Sequence, residues 1–335
     1  MKMVIFGAGA VGGHLAARLA ANGPAAGIEV SAVCRGAQLA AIAERGITLE
    51  LDDQHIEARV HVTDQPQTLG PQDVVIVTLK SSVLPAASDE IASLIGPATT
   101  VVFAMNGIPW WYLYRAEATG APAPDLSLLD PGGILARAIG AERVVGCMIN
   151  SANTIIAPGM IRNSPGTKNQ FTLGEPDGTI STRLKAIAAA LERAGIPAPL
   201  TSTIRTEIWD KLLRNLSTSP ICAMTGEPIG VIGRHPELLA LSQNLMAEGL
   251  AVAAAHGIAL DLNFQRAYGA RPMSPHKSSM LQDFERCRPP EIDGILTSVQ
   301  QFARAARVPT PHVDAITALV IEKARRMGLY PQADW

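Results

Sequence analysis

The first third of the chain alternates short apolar runs with stretches of helical periodicity. The apolar runs cover residues 3–6, 29–34, 73–79 and 99–104. Two Ala- and Leu-rich stretches, residues 10–21 and 38–44, predict helices between them. Continuous Val and Ile runs separated by helices are typical of a parallel sheet covered on both faces, because neither face of such a strand meets water. The pattern therefore predicts a doubly wound α/β domain.

After Gly140 the pattern changes, first to short strands and then to helices alone. Strands are predicted over residues 143–149, 159–162 and 170–173, followed by a helix over 181–194. Only helical stretches follow, over residues 204–224, 236–256, 278–286, 291–306 and 312–326. The proline-containing segment 195–203 is the natural joint. We therefore expect an α/β domain over residues 1–199, an all-helical domain over 200–328 and a loose tail over 329–335.

Composition narrows the classes of function. A chain of 335 residues with 47% hydrophobic and 17% charged residues is long enough for two folded domains. The net charge of −2, without a basic run, predicts no nucleic-acid partner. Four scattered cysteines favour a reducing cytoplasm over a disulfide framework, and predict no metal site. The uncharged run 91–114 contains glycines and prolines, so no membrane span is expected.

A glycine-rich turn follows the first predicted strand and opens the first predicted helix. Its residues are Gly7, Ala8, Gly9, Ala10, Val11 and Gly12. At this spacing the first glycine allows a tight turn, the second lets the backbone approach a pyrophosphate, and the third lets helix and strand pack closely. The diphosphate would rest on the free N–H groups at the start of the helix. The strand–turn–helix context predicts a Rossmann-type dinucleotide site rather than an unrelated glycine turn.

The second predicted strand ends at Arg35 rather than at an acidic residue. An acidic residue there would hold the ribose 2′-hydroxyl of NAD, whereas an arginine accommodates the 2′-phosphate of NADP. The spacing from Gly12 exceeds the usual one, and the loop 22–27 accounts for the excess. An ordinary solvated arginine is the alternative. The sequence favours NADP(H) as the cofactor.

Several motifs together resemble the ketopantoate reductases (2-dehydropantoate 2-reductases) over nearly the whole chain. The motifs are the glycine-rich turn, Thr78-Leu-Lys80, Met105-Asn106-Gly107, Glu207-Ile-Trp209-Asp-Lys211-Leu, Asn215, and Ser278-Ser-Met-Leu-Gln-Asp283 followed by Glu291-Ile-Asp293. The resemblance implies a Rossmann-type domain followed by a helical one. It also implies NADPH-dependent reduction of ketopantoate to pantoate in pantothenate biosynthesis, with a small 2-keto acid as the substrate and a homodimer as the assembly.

The resemblance also implies a role for each matched residue. Lys211 and Glu291 are the catalytic pair, and Glu291 also contacts the cofactor. The expected cofactor contacts in addition to the turn and Arg35 are Lys80, Asn106 and Ala152, and the expected substrate contacts are Lys211, Asn215, Ser219 and Ser279. A positioned lysine ammonium stabilises the charge that forms on the carbonyl oxygen and supplies its proton, a step typically worth about two to four powers of ten in rate.

Each of these residues also has a simpler structural interpretation. Lys211 could pair with Glu207 one helical turn earlier, and Lys80 could be a solvated strand-end charge. Glu291 follows two prolines and could occupy a first helical turn, where negative charge is favoured. Ser279 could be a helix-start hydroxyl. The clustering of all of them in the family motifs favours the functional interpretation.

The chain departs from the family pattern at two positions and in one loop. Ser219 and Ile229 stand where the family has asparagines, and the loop 106–112 is unusually aromatic. That loop could line a pocket for a bulkier substrate or pack as an apolar loop. A reductase of a different 2-keto acid or ketone is therefore the second interpretation. A non-catalytic NADP(H)-binding sensor is the third, and Lys211 argues against it because a sensor needs no proton donor.

Overall fold

A computed structural model describes residues 1–52, 54–117, 120–264 and 276–332. The chain divides into two units. The first comprises Met1–Met105, Tyr114–Ala116 and Asp130–Ile204, and the second comprises Asn106–Leu113, Glu117–Leu129 and Arg205–Trp335. The boundary near Ile204 lies close to the predicted joint. The segments 106–113 and 117–129 belong to the helical unit, in contrast to the prediction of one continuous N-terminal domain.

The first unit contains a seven-stranded sheet. Its strands are β1 (Lys2–Phe6), β2 (Glu29–Val33), β5 (His61–Thr63), β6 (Gln72–Val77), β7 (Ile95–Ala104), β8 (Val144–Asn150) and β11 (Gln170–Gly174). Their order across the sheet is β11-β8-β7-β6-β1-β2-β5. All neighbours are parallel except β11, which runs antiparallel to β8. Reversal of strand order on either side of β1 is the Rossmann arrangement, so the predicted fold class is confirmed.

Five α-helices and a second sheet complete the described part of the first unit, together with short 3₁₀ turns. The helices are α1 (Ala10–Asn22), α2 (Gly36–Arg45), α3 (Ser88–Ala92), α4 (Ile134–Ile139) and α5 (Thr182–Arg193). The second sheet has the order β4-β3-β10-β9, formed by β3 (Ile47–Glu50), β4 (His55–Ala58), β9 (Asn153–Ala157) and β10 (Met160–Asn163). Of these strands, only β10 is predicted by the sequence pattern. A Cβ on Gly13 would lie 2.7 Å from Ile161 Cγ1, so α1 packs closely on this sheet.

The second unit is helical. Its helices are α6 (Ile204–Thr225), α7 (Ile229–Ile232), α8 (Pro236–Ala255), α9 (Ser279–Glu285), α10 (Ser298–Ala306) and α11 (Pro311–Arg326). A π-helix, Asp293–Thr297, precedes α10 where the pattern predicts regular α-helix. The short α7 is not predicted. The core of this unit includes Trp209, Leu213 and Phe302, each at most 1% exposed.

Helix α8 is long and apolar enough to cross a membrane by length and composition. One third of its most apolar window is buried in the structure. Leu245, Met246, Val252 and Ala253 of this helix belong to the core of the second unit. Length and composition are weak evidence for a span here, because a core helix satisfies the same criteria.

The segment after α11 is bound to the helix rather than loose, in contrast to the prediction of a tail beginning at residue 329. Leu329 N–H donates to the Ala324 carbonyl at 2.8 Å, and Arg325 Nε donates to the Pro331 carbonyl at 2.9 Å. The Tyr330 hydroxyl donates to the Asp293 carboxylate at 2.6 Å. This last bond connects the segment to the π-helix. Burial, followed by the bond to Asp293, raises the pKa of Tyr330.

Candidate active site

The glycine-rich turn connects β1 to α1 in the first unit. Gly7 has a φ of +108°, and a Cβ there would lie 2.8 Å from Leu79 Cδ2. A Cβ on Gly12 would lie 2.1 Å from the Gly7 carbonyl oxygen. Real Cβ atoms do not approach backbone so closely. The first and third glycines are therefore required by the packing of the chain itself.

Gly9 differs from the other two glycines of the motif. The nearest atom to a Cβ on Gly9 would be the Gly7 carbonyl oxygen, at 4.0 Å. The φ of Gly9 is −79°, which other residues also adopt. Neither packing nor backbone conformation requires glycine here. The space beside Gly9 fits the close approach of a pyrophosphate to the backbone, which is the reason for a glycine at this position of the motif.

The start of α1 supplies hydrogen-bond donors to the space beside Gly9. The N–H groups of residues 10–12 precede the first intrahelical bond, which Gly13 N–H donates to the Gly9 carbonyl at 2.7 Å. First-turn N–H groups lack intrahelical acceptors and carry the positive end of the helix dipole. The Ala8 carbonyl accepts a hydrogen bond from the Gln38 side-chain amide at 2.9 Å, which holds the turn. These residues fit the pyrophosphate of a dinucleotide.

Two predicted cationic contacts follow the carboxyl ends of β2 and β6, the strands on either side of β1. Arg35 directly precedes α2, and its guanidinium pairs with the Glu90 carboxylate on α3. Lys80 follows β6 and is half-buried. The Thr78 hydroxyl donates to the Gly7 carbonyl at 2.6 Å, which connects the end of β6 to the glycine turn. Ligands of open α/β sheets bind outside these strand ends, so both side chains lie where a dinucleotide would bind.

Ala152, another of the predicted cofactor contacts, lies in the turn between β8 and β9. Its carbonyl accepts hydrogen bonds from Ser164 N–H at 2.8 Å and from the Asn163 amide at 3.1 Å. Asn163 also donates to Asn153 at 2.8 Å, and Asn153 bonds to His14 Nδ1 at 3.1 Å. Burial lowers the pKa of His14 to about 4, so its ring is neutral. The sequence pattern does not reveal this polar network, because its members are scattered along the chain.

Asn106 and Glu291 meet in the second unit. The Asn106 side-chain amide donates to Glu291 Oε2 at 2.8 Å. The Glu291 side chain is buried, with the residue 6% exposed. A buried carboxylate needs hydrogen-bond donors, and this amide is one of them. The structure therefore joins two residues that the family motifs assign separately to the cofactor and to catalysis.

A close backbone contact positions this pair. Ile108 N–H donates to the Gly294 carbonyl at 2.8 Å. A Cβ on Gly107, which has a φ of +74°, would lie 2.4 Å from the same oxygen. Gly294 belongs to the π-helix Asp293–Thr297, a type of helix that is rare and frequently found at functional sites. Glu291 therefore stands just before a π-helix, and not in the first turn of the regular helix predicted over 291–306.

Lys211, Asn215 and Ser219 lie one turn apart along α6. The core side chains of this stretch, each at most 1% exposed, are Trp209, Leu212, Leu213 and Leu216. They fix the rotation of the helix and leave Lys211 and Asn215 half-buried on another face. Ser219 is 2% exposed. The structure thus has Lys211 and Asn215 on one helical face, as predicted. The buried hydroxyl of Ser219 lies on the same face, one turn further along the helix.

The start of α9 lies beside the far end of this face. The Ser278 hydroxyl accepts a hydrogen bond from Leu281 N–H at 3.2 Å. It also forms a hydrogen bond with the Cys222 thiol. Cys222 lies on α6 three residues after Ser219, and burial raises its pKa to about 11. Ser279 is the exposed first residue of α9. The helix-capping hydroxyl is therefore Ser278, and the interpretation of Ser279 as a cap does not apply.

The aromatic loop packs into the core of the second unit. The Tyr112 hydroxyl accepts a hydrogen bond from Trp209 Nε1 at 2.7 Å, and its ring meets Phe302 edge-on at 5.3 Å. Burial raises the pKa of Tyr112 to about 12. Arg205 Nε donates to the Tyr112 carbonyl at 2.9 Å. For Tyr112, the structure favours a packing role over a role in lining a substrate pocket.

Ile229 also has a packing role. It begins α7, and its N–H donates to the His276 carbonyl at 3.1 Å. The side chain packs against the core of the second unit. The asparagine of the family pattern is therefore replaced by a residue that contributes apolar contacts.

The motifs of both units match family models. The model for Ketopantoate reductase PanE/ApbA matches residues 3–116, and the model for its C terminal matches residues 186–324. The chain belongs to the ketopantoate reductase family. A ketopantoate reductase is an oxidoreductase, so the predicted enzyme class is supported as well.

Individual proteins of known name or structure are similar to this chain over nearly its full length. The 2-dehydropantoate 2-reductase of Mesorhizobium japonicum is 41% identical over 333 residues, which are 98% of this chain and 100% of that protein. A Ralstonia solanacearum structure assigned to the ketopantoate reductases is 37% identical, with a TM-score of 0.88 over 98% of this chain and 99% of the other. D-mandelate dehydrogenase with NADH and anilino(oxo)acetate shares the fold at 21% identity, with a TM-score of 0.81 over 98% and 100%.

Proposed function

We propose that this protein reduces the ketone of 2-dehydropantoate to the alcohol of pantoate with NADPH. The observation that carries the proposal is the alignment of Lys211, Asn215 and Ser219 on one face of α6, in a chain that is 41% identical over its length to a 2-dehydropantoate 2-reductase. NADPH supplies the hydride when it is bound. The glycine-rich turn, Arg35 and Lys80 are the groups proposed to hold it.

The side chains of the second unit account for the remaining chemistry. The Lys211 ammonium is proposed to stabilise negative charge on the carbonyl oxygen and to transfer its Nζ proton to that oxygen. Asn215 offers both a donor and an acceptor for the substrate carboxylate or hydroxyl. Ser219 and Ser279 are proposed as further substrate contacts. Glu291, held by Asn106, is the proposed partner of Lys211 in catalysis and contacts the cofactor.

The test is a kinetic comparison of Lys211→Ala with the unaltered protein. With ketopantoate and NADPH we expect kcat to fall by about two to four powers of ten, because the proton donor is missing. The affinity for NADPH, measured by fluorescence titration, should change little. Lys185→Ala on α5 is the control for loss of a helical lysine and should retain full turnover. Near-normal turnover of the Lys211 variant would exclude the role assigned to it.

One observation favours an alternative substrate, a 2-keto acid other than ketopantoate. The family asparagines are replaced by Ser219 and Ile229, and Ile229 packs against the core of the second unit. A site that lacks these amides makes fewer hydrogen bonds to pantoate-like groups. A panel of 2-keto acids followed by NADPH absorbance decides between the substrates by their kcat/KM values. The absence of turnover with every member of the panel would favour the sensor interpretation.

The cellular setting is part of the same proposal. Among the residues that the structure describes, no disulfide joins the four cysteines, which fits a reducing compartment, and we propose a cytoplasmic location. We also propose a homodimer, on the family resemblance alone. Light scattering during gel filtration would give the mass of the assembly directly.

A further inference from the structure

The proposed 2′-phosphate contact, Arg35, is engaged by a carboxylate of the same unit. Its guanidinium donates from Nη2 to Glu90 Oε1. The Arg35 side chain is 66% exposed, and that of Glu90 is 33% exposed. Arg35 lies directly before α2, and Glu90 lies on α3, so the two segments that flank the proposed adenosine side of the site are connected by this pair.

The ion pair is asymmetric. Glu90 Oε1 accepts the hydrogen bond, whereas Glu90 Oε2 is buried and has no hydrogen-bond partner among the residues that the structure describes. Arginine and carboxylate often pair through two parallel hydrogen bonds. A contact through one oxygen leaves other donors of the guanidinium for a second anion. It also leaves the Glu90 charge only partly compensated.

We propose that Glu90 sets how strongly the protein prefers NADP(H) over NAD(H), by opposing the 2′-phosphate at Arg35. This inference rests on the proposed cofactor function of Arg35. A phosphate monoester carries about −1.5 to −2 charges at neutral pH, so it meets repulsion from the Glu90 carboxylate and competes with it for the guanidinium. The 2′-hydroxyl of NAD is neutral and meets neither effect.

The size of the effect follows from the exposure of the pair. An ion pair this exposed contributes little to stability, so Glu90 is not needed to keep the chain folded. Because the pair lies near water, the repulsion is moderate and screened by salt. Removal of the Glu90 charge should therefore tighten NADP⁺ binding about 3- to 10-fold at low salt and leave NAD⁺ binding unchanged.

Glu90→Gln is the test, because it removes the charge and keeps the shape of the side chain. The dissociation constants of NADP⁺ and NAD⁺ are measured by titration calorimetry, at low and at high salt. Glu50→Gln is the matched control. Glu50 pairs with Arg162 at 2.7 Å in the second sheet, with side-chain exposures of 29% and 59%. The control should leave both constants unchanged.

The outcomes separate this proposal from the proposed function. Tighter NADP⁺ binding by the Glu90 variant, with a gain that shrinks at high salt, supports the proposal. Unchanged or weaker NADP⁺ binding overturns it and makes Glu90 a residue that orients Arg35. If the unaltered protein binds neither dinucleotide, the cofactor function itself fails. Thermal unfolding of both variants verifies that each is folded.

Discussion

Gly107→Ala tests the backbone contact that positions Asn106 and Glu291. An alanine Cβ would lie 2.4 Å from the Gly294 carbonyl oxygen and 2.5 Å from its carbon. Both are backbone atoms of the π-helix, so a side-chain rotation cannot relieve the overlap. The segment 106–108 must instead move away. That movement would break the 2.8 Å bond from Ile108 N–H to Gly294 and carry Asn106 away from Glu291.

The expected loss of stability has three contributions. The φ of +74° costs an alanine about 1–2 kcal/mol relative to glycine. The overlap adds about 1–3 kcal/mol, and the lost hydrogen bond adds about 0.5–1.5 kcal/mol. Since the segment can relax in part, we expect the free energy of unfolding to fall by about 3–5 kcal/mol. Turnover should fall as well, because the Glu291 carboxylate loses the amide that holds it.

Gly226→Ala is the matched control. Gly226 has a φ of +78°, and a Cβ there would have no atom within 4 Å. It therefore measures the backbone cost alone, about 1–2 kcal/mol. Urea unfolding followed by circular dichroism gives the free energies, and NADPH oxidation gives kcat. If Gly107→Ala is no less stable than Gly226→Ala and has normal turnover, the close approach to Gly294 is not a property of the folded protein.

Two further predictions concern the first unit. Gly9→Ala should leave the free energy of unfolding within about 0.5 kcal/mol of its original value and yet weaken NADP⁺ binding at least about tenfold, because the open space beside Gly9 serves a ligand; an unaltered dissociation constant in calorimetry would place the pyrophosphate elsewhere. The buried ring of His14 stays neutral down to pH about 4, whereas the unfolded chain takes up a proton below pH 6.5. Stability should therefore fall by about 3 kcal/mol as the pH drops across that interval, and His14→Gln should show a flatter profile in urea unfolding; parallel profiles would contradict this.

The sequence pattern predicts the long helices well, because apolar positions recur at helical spacing over many turns. The pattern predicts α6 over 204–224, and the helix occupies Ile204–Thr225, with Trp209 and the leucines forming its buried stripe. The strands of the second sheet are short, with four or five residues each and partly exposed faces, as in β4. Such strands carry neither a continuous apolar run nor a long alternation, and their pairing depends on distant partners.

The site could be predicted only residue by residue. Family motifs identify Asn106 and Glu291, but they lie 185 positions apart, and no local pattern indicates that they share a hydrogen bond. Gly107 follows an asparagine and resembles an ordinary turn. Its role depends on Gly294, whose approach arises from tertiary packing. In the same way, the Glu90 carboxylate lies beside Arg35 only because tertiary packing brings α3 to the residue that precedes α2.

The π-helix makes the chain sensitive to the loss of a single residue. A π-turn holds one more residue than an α-turn, so deletion of one residue between positions 293 and 297 would let the backbone wind as a regular α-helix. Because a π-turn and an α-turn each complete one revolution, Glu291 and the hydrophobic face of α10 would keep their places. The change would be confined to the bulge itself, where the Gly294 carbonyl accepts the hydrogen bond from Ile108 N–H. A deletion scan of these five positions should therefore yield folded proteins with reduced turnover, because the segment that carries Asn106 loses this contact.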